Sequence, residues 1–174
     1  MDIYTAKKRR VRRAKWDLRF LELAKHVASW SLDPSTKVGA VVVDEFLTVK
    51  GMGYNGFPRG VQDTPERYQD RQTKYQFVVH AEVNALINAN SSVRGCTLYV
   101  WPTLMIPPAC PECCKSIIQH GINRIVCYNT PTTGRWQDMA EISQTMLTEA
   151  ELVISMIDPI ESRLHSISHP PTKS

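Results

Sequence analysis

The sequence predicts one α/β domain built in layers, with a sheet covered by helices. Segments with helical spacing of apolar residues alternate along the chain with short β-branched runs that are typical of buried strands. A length of 174 residues, 43% of them hydrophobic and 22% charged, is enough for one substantial core. The sequence has no run of about 18 apolar residues, so we expect no membrane span.

The first helix is predicted over 12–30, because Trp16, Phe20 and Val27 recur at helical spacing. Polar residues, glycine and proline over 55–76 predict a long loop, of a kind that is often functional. The other elements are predicted, in chain order, as strands at 38–43 and 49–54, a helix at 80–90, a strand at 96–101, a helix at 111–120, a strand at 125–128, a helix at 136–149 and a strand at 152–154.

The net charge of +4 is unevenly distributed. Residues 1–15 hold seven basic residues and one acid, so residues 16–174 sum to −2 and create no strong field for nucleic acid. The basic segment is either an anion-binding arm or the solvated start of the first helix. We therefore divide the chain into a basic arm at 1–15, a domain at 16–155 and a tail at 156–174.

The cysteine content indicates a reducing compartment. Five cysteines are an odd number, and the N-terminus has no apolar stretch that would serve as a signal peptide. A disulfide framework is therefore not expected, and the thiols are available as core residues or metal ligands. We expect a cytoplasmic protein.

Two short motifs predict a metal centre. Cys110 and Cys113 form a C-x-x-C pair at the start of a predicted helix, and His80 begins another. Cys114 would point elsewhere on the helix, so three protein ligands leave one tetrahedral position open, as in catalytic zinc sites. The spacing therefore predicts that His80, Cys110 and Cys113 hold Zn²⁺.

Glu82 lies two residues after His80, in the same first turn, and is predicted to reach the metal. A water on zinc has its pKa lowered to about 7, and a carboxylate beside it can move its proton, as hydrolytic deamination requires. H-x-E followed by C-x-x-C is typical of zinc deaminases, although Ala109 stands where a proline normally precedes the first cysteine. The alternatives are a structural zinc, or buried thiols beside a core histidine.

The chain resembles the deoxycytidylate (dCMP) deaminase family of the cytidine deaminase superfamily over about residues 16–155. The most specific similarities are at 33–40 (DPSTKVGA), 53–58 (GYNGFP), 80–85 (HAEVNA) and 110–122 (CPEC through IIQHGI). The resemblance implies a cytidine-deaminase-like three-layer fold, with a mixed five-stranded sheet flanked by helices. It also implies conversion of dCMP to dUMP for thymidylate synthesis, in which zinc-bound hydroxide attacks C4 and Glu82 shuttles protons.

Substrate contacts are predicted partly from the same resemblance. By position, Asn55 touches the deoxyribose, and the backbone N–H groups of Ala81 and Cys110 meet the base carbonyl. Lys37 is either a phosphate contact or a solvated turn lysine. Asn84 either reaches the pocket or satisfies local backbone groups. Tolerance of C5 substituents, and preference for mono- or triphosphate, are left open by the sequence.

The resemblance also implies regulation and assembly. Many members are hexamers activated by dCTP and inhibited by dTTP, with the 53–60 loop near the effector site. Gly56, Phe57 and Arg59 are therefore predicted effector contacts. The chain's size and long 55–76 loop resemble viral members, which would place the enzyme in a host cytoplasm.

Two other functions are compatible with the zinc motifs. A deaminase acting on tRNA adenosine or on single-stranded nucleic acid would need a basic groove with stacking aromatics, which the charge of residues 16–174 does not favour. A zinc-stabilised interaction module without catalysis is the other alternative. The expected partners are a small nucleotide, the two effectors and further copies of the chain. Neither a membrane nor a nucleic acid is expected as a partner.

Overall fold

The computed structural model describes residues 3–102, 109–129 and 137–158. The strands are β1 (Gly39–Val43), β2 (Val49–Tyr54), β3 (Thr97–Trp101), β4 (Arg124–Tyr128) and β5 (Val153–Ile157). The helices are α1 (Ile3–Ala28), α2 (Pro65–Gln69), α3 (Arg71–Phe77), α4 (Ala81–Ile87), α5 (Pro111–Gln119) and α6 (Gln137–Glu149). Within these described ranges, no helix is both long and apolar enough to cross a bilayer.

The five strands form one mixed sheet in the order β2-β1-β3-β4-β5. Strand β1 pairs antiparallel with β2 and with β3, whereas β3, β4 and β5 are parallel. Strands β2 and β3 therefore run in the same direction and end at the same edge of the sheet. The predicted mixed five-stranded sheet is confirmed, and α4 and α5 begin after the strands that end at this edge.

Helices cover both faces of the sheet. All five residues of β1 are buried, as expected for a central strand with packed layers on either side. Ala40 and Val42 point towards α4, α5 and α6, while Val41 and Val43 point towards α1. The result is the three-layer arrangement that was predicted.

A buried ion pair fastens α1 to the sheet. The two terminal nitrogens of Arg124 donate to the Asp17 carboxylate at 2.8 and 2.7 Å. The Tyr99 hydroxyl also donates to Asp17 at 2.8 Å, and Arg124 Nε donates to Ser155 Oγ at 3.0 Å. Because these charged groups are satisfied by each other and by neighbouring hydroxyls, burying them beneath α1 costs less than burying either alone.

Strand β2 lies unusually close to α4. A Cβ placed on Gly53 would fall 2.3 Å from the Ala85 backbone nitrogen and 2.6 Å from the Ala81 carbonyl oxygen. Gly51 faces the next turn of the helix at a similar distance. The absence of side chains at these two positions thus sets how near the helix can approach the strand.

Two asparagines then tie the helix to the strand. The Asn84 side-chain amide donates to the Tyr54 carbonyl at 2.8 Å, and that of Asn88 donates to the Met52 carbonyl at 3.0 Å. These carbonyls belong to an edge strand, so side chains of α4 supply the partners that another strand would otherwise offer.

Two sequence predictions of secondary structure were wrong in extent. The first helix begins at Ile3, so the basic arm predicted at 1–15 has a helical backbone over most of its length. The 55–76 segment is not all loop, because α2 and α3 lie in it. Both are short helices, α2 beginning at Pro65 and α3 capped by Asp70, and neither is long enough to show a helical period.

Replacing Gly53 by alanine is expected to destabilise the fold by about 1–3 kcal/mol, because the added methyl meets backbone atoms that cannot rotate away. Gly56→Ala is the matched control, since the nearest atom to its Cβ would be a Tyr54 ring carbon at 3.7 Å. Urea unfolding of the two variants measures the difference. Equal midpoints would show that α4 accommodates a side chain at Gly53.

Candidate metal centre

Three side chains from two helix starts meet at one point. His80 is the N-cap of α4, Cys110 is the N-cap of α5, and Cys113 lies in the first turn of α5. His80 Nδ1 is 3.2 Å from Cys113 Sγ and 3.3 Å from Cys110 Sγ, and the two sulfurs are 3.3 Å apart. The donor atoms thus form a nearly equilateral triangle, and the three ligands predicted from sequence spacing come together.

This donor set fits zinc. One imidazole and two sulfurs are among its preferred ligands, and atoms this close can all reach one ion at roughly 2.0–2.3 Å. In the described ranges, His80, Cys110 and Cys113 are the only group of three potential ligands that converge within 4.8 Å. Cys114 is fully buried and its thiol faces the Ala109 carbonyl at 3.5 Å, so it points away from the triangle, as predicted.

The three donor side chains differ in how strongly they hold protons. The hydrogen bond from Cys113 lowers the pKa of Cys110 to about 4, against the effect of burial, and His80 contributes in the same direction. The hydrogen bond with Cys110 raises the pKa of His80 to about 9. The pKa of Cys113 is raised, because its proton is held by Cys110 and its thiol is buried. A thiolate paired with an imidazolium is a site in which a cation can replace protons.

Glu82 lies beside the triangle in the first turn of α4 and is only 6% exposed. Burial raises the pKa of its carboxyl group, while the charge of His80 and a hydrogen bond with Cys113 act in the opposite direction. His80, by contrast, is solvent-exposed. Residue exposure thus falls from His80 through Cys110 to Cys113, and the Glu82 carboxyl group lies in the interior.

Asn55 follows β2 at the same edge of the sheet and is 5% exposed. Its Oδ1 accepts from the Val38 N–H at 2.7 Å, and its Nδ2 donates to the Thr36 carbonyl at 2.8 Å and to Asp33 Oδ2 at 3.3 Å. Both amide hydrogens are used, and Oδ1 has capacity for one more donor. The next residue, Gly56, pairs with Val79, which directly precedes His80.

A cavity of about 420 Å³ opens beside this turn. Its walls come from the end of α1, the turn before β1 and the end of β3: Lys25, Ser29, Ser35, Thr36, Lys37, Trp101 and Pro102. The Lys37 ammonium group donates to the Ser31 carbonyl, so this lysine is anchored at the cavity rather than only solvated. Its contact with a phosphate stays a prediction.

The other predicted contacts have partners within the chain. The Asn84 amide faces β2 through its bond to Tyr54, and Ala81 is buried at the start of α4. Phe57 stacks on Tyr68 with ring centres 4.5 Å apart, and Arg59 Nη2 donates to Asn88 Oδ1 at 2.6 Å. These contacts join the segment after β2 to α2 and α4, and the roles predicted for Asn84, Ala81, Gly56, Phe57 and Arg59 in binding stay predictions.

No pattern in the sequence predicted that Lys74 would be buried or paired. It is buried in α3 and its ammonium group lies 2.7 Å from a carboxylate oxygen of Asp33, 41 positions earlier in the chain. No local spacing relates two residues so far apart, and the 55–76 segment was expected to be loop. The 55–76 segment contains many charged residues, but the sequence does not show which of them is buried.

Cys113→Ala is expected to lose most of its bound zinc, because two ligands cannot hold the ion as three do. Cys114→Ala is the control, since it removes a neighbouring buried thiol that faces away from the triangle. Metal content after dialysis against a weak chelator gives the comparison. Equal zinc retention by the two variants would remove Cys113 from the ligand set.

The chain is similar in sequence to proteins that are named deaminases. The chain is 36% identical over 146 residues to the "uncharacterized deaminase in luxG 3′ region" of Aliivibrio fischeri, covering 83% of this chain and 95% of that protein. It is 42% identical over 120 residues to the deoxycytidylate deaminase of Mus musculus, covering 64% of each. The chain thus spans somewhat less than two thirds of the mouse relative. The deoxycytidylate deaminase of Mycobacterium phage D29 is 36% identical to this chain over 128 residues, and the match covers 94% of the phage protein.

Solved structures show the same fold. The dCMP deaminase of cyanophage S-TIM5 in apo form superimposes with a TM-score of 0.62 at 22% identity, covering 82% of this chain and 98% of that one. Residues 14–129 match the sequence model of the cytidine and deoxycytidylate deaminase zinc-binding region, which includes the whole triangle and Glu82. The chain therefore belongs to the cytidine and deoxycytidylate deaminase family.

Proposed function

We propose that the chain hydrolyses dCMP to dUMP and ammonia, with zinc held by His80, Cys110 and Cys113. The observation that supports this most is the triangle of three donors with a buried carboxyl group, Glu82, beside it. Relatives that are named deoxycytidylate deaminases, at 36–42% identity, favour dCMP over other cytosine compounds. The cyanophage enzyme has been solved with dCMP and dUMP, and it shares the fold.

Proton transfer is assigned to Glu82. Bound zinc supplies Lewis acidity that lowers the pKa of a water molecule. Glu82 accepts a proton from the water as its oxygen bonds to C4 of the base, and passes it to the ring nitrogen. It then accepts the remaining proton from the new C4 hydroxyl, which becomes the carbonyl, and passes it to the leaving amine. The C4–N bond breaks and ammonia departs. A buried carboxyl group with a raised pKa is suited to both halves of this cycle.

Substrate binding is assigned to groups around the edge where β2 and β3 end. The remaining lone pair of Asn55 Oδ1 can accept from a sugar hydroxyl, and the N–H groups of Ala81 and Cys110 can donate to the base carbonyl. Lys37, anchored at the cavity, is assigned to the phosphate. Asn84 is assigned to the same pocket through α4.

Regulation and assembly follow from family resemblance. We assign dCTP and dTTP as effectors of a homohexamer, with Gly56, Phe57 and Arg59 near the effector, and supply of dUMP for thymidylate synthesis as the cellular role. Sedimentation with and without each nucleotide tests this assignment. A monomer whose turnover ignores both nucleotides would contradict it.

Glu82→Gln is expected to keep its zinc and its melting temperature but to lose roughly two to four orders of magnitude in kcat, the usual contribution of general acid–base catalysis. Zinc content, thermal unfolding and steady-state kinetics are measured on the same preparation. Full turnover in this variant would exclude Glu82 from proton transfer.

Substrate choice is tested with a panel of dCMP, CMP, dCTP, deoxycytidine and dCMP substituted at C5 with methyl or hydroxymethyl. The highest kcat/KM is expected for dCMP or a C5-substituted dCMP, and a weak reaction for deoxycytidine, which has no phosphate for Lys37. No turnover of dCMP or its C5 derivatives by the zinc-loaded chain would overturn the proposed function and favour a zinc-stabilised interaction module.

A further inference from the structure

Lys74 is a buried lysine in α3, within the segment that connects β2 to α4. Its side chain is 11% exposed, and that of its partner Asp33 is 1% exposed. The ammonium group lies 2.9 and 2.7 Å from the two carboxylate oxygens and donates to Ser35 Oγ at 2.6 Å. Two hydrogen bonds and the ion pair thus compensate the buried ammonium group, and such pairing is the usual condition for finding a lysine in the interior.

The Asp33 carboxylate in turn holds the turn before β1. Its Oδ1 accepts from the backbone N–H groups of Ser35 and Thr36 at 2.9 and 3.1 Å. Its Oδ2 accepts from the Asn55 amide at 3.3 Å. The same amide group also donates to the Thr36 carbonyl. Lys74, Asp33 and Asn55 thus form a continuous chain of polar contacts.

This network of contacts ends at two parts of the protein that are assigned to the nucleotide, the 33–37 turn and Asn55. The turn that Asp33 organises includes Lys37 and lines the cavity. The residue after Asn55 pairs with Val79, next to His80. Within the described ranges, no hydrogen bond or ion pair joins Lys74 or Asp33 to the metal ligands, so their influence on the reaction would pass through the turn and through Asn55.

We propose that Lys74 is a positioning residue, whose ammonium group orients the Asn55 amide and the 33–37 turn for substrate binding. This inference rests on the proposed function, which assigns Asn55 and Lys37 to the nucleotide. Contacts to the sugar and phosphate are made alike in the ground and transition states, so disturbing them changes KM more than kcat. A role limited to stability would instead change melting temperature and active fraction.

Lys74→Met is expected to raise the KM for dCMP by roughly tenfold or more, with kcat per bound zinc changed by less than about threefold. Lys74→Arg keeps the charge and several donors and is the conservative control, with KM expected within about threefold of the wild type. Zinc content and melting temperature are measured for each variant. A wild-type KM in Lys74→Met would overturn the inference, as would a loss of kcat and zinc with KM unchanged.

A paired variant separates positioning from stability. Asp33→Asn combined with Lys74→Met removes both buried charges, so the melting temperature should recover relative to Lys74→Met alone. The ammonium group that orients the Asn55 amide and the 33–37 turn is still missing, so KM should stay raised. Recovery of KM together with melting temperature would show that Lys74 acts on stability only, and would overturn the inference.

A readout without substrate distinguishes this inference from the proposed function. The side-chain ¹H–¹⁵N resonances of Asn55 in the zinc-loaded full chain should shift in Lys74→Met and stay near their wild-type positions in Lys74→Arg. Unchanged resonances in Lys74→Met would overturn the inference whatever the enzyme acts on. Failure of the wild-type chain to deaminate dCMP would overturn the proposed function, and the resonances would still report whether Lys74 orients Asn55.

Discussion

The metal centre depends on how closely α4 lies against β2. Gly51 and Gly53 have no side chains, so the backbone of the helix can contact the backbone of the strand. The side-chain amides of Asn84 and Asn88 donate hydrogen bonds to carbonyl groups of the strand. His80 is the residue at which this helix begins, so its imidazole is fixed by the same contact. The two cysteines come from α5, which follows β3 in the sequence. Two strands that end at one edge therefore deliver all three donors to one point.

Two buried ion pairs join the layers, one at the end of the sheet opposite to this edge and one at this edge. Asp17 and Arg124 join α1 to β4, and Asp33 and Lys74 join the turn before β1 to α3. Burial alone would raise the pKa of Asp33, but hydrogen bonds from Lys74 and from backbone N–H groups outweigh it and lower the pKa. A carboxyl group with a lowered pKa stabilises the folded state at neutral pH, and that contribution is lost as the pH falls through its folded-state pKa.

Most of the fold could be read from local patterns. The strand predicted at 49–54 has those limits in the structure, and the remaining strands lie within a few residues of prediction. The metal triangle could also be predicted, because ligand spacing and helix starts are local properties. The α2 and α3 helices could not, since five and seven residues are too few to show a period. The pairing of Lys74 with Asp33 depends on tertiary contact, which a single sequence does not display.

His80 and Glu82 are two residues apart, but one is exposed and the other is buried. The transition from solvent to the protein interior therefore occurs within a single helical turn. Among the three ligand residues, His80 is the most exposed, and Cys113 is buried together with Glu82. One short segment thus sets both how far solvent reaches towards the ligands and how well the carboxyl group is shielded from it.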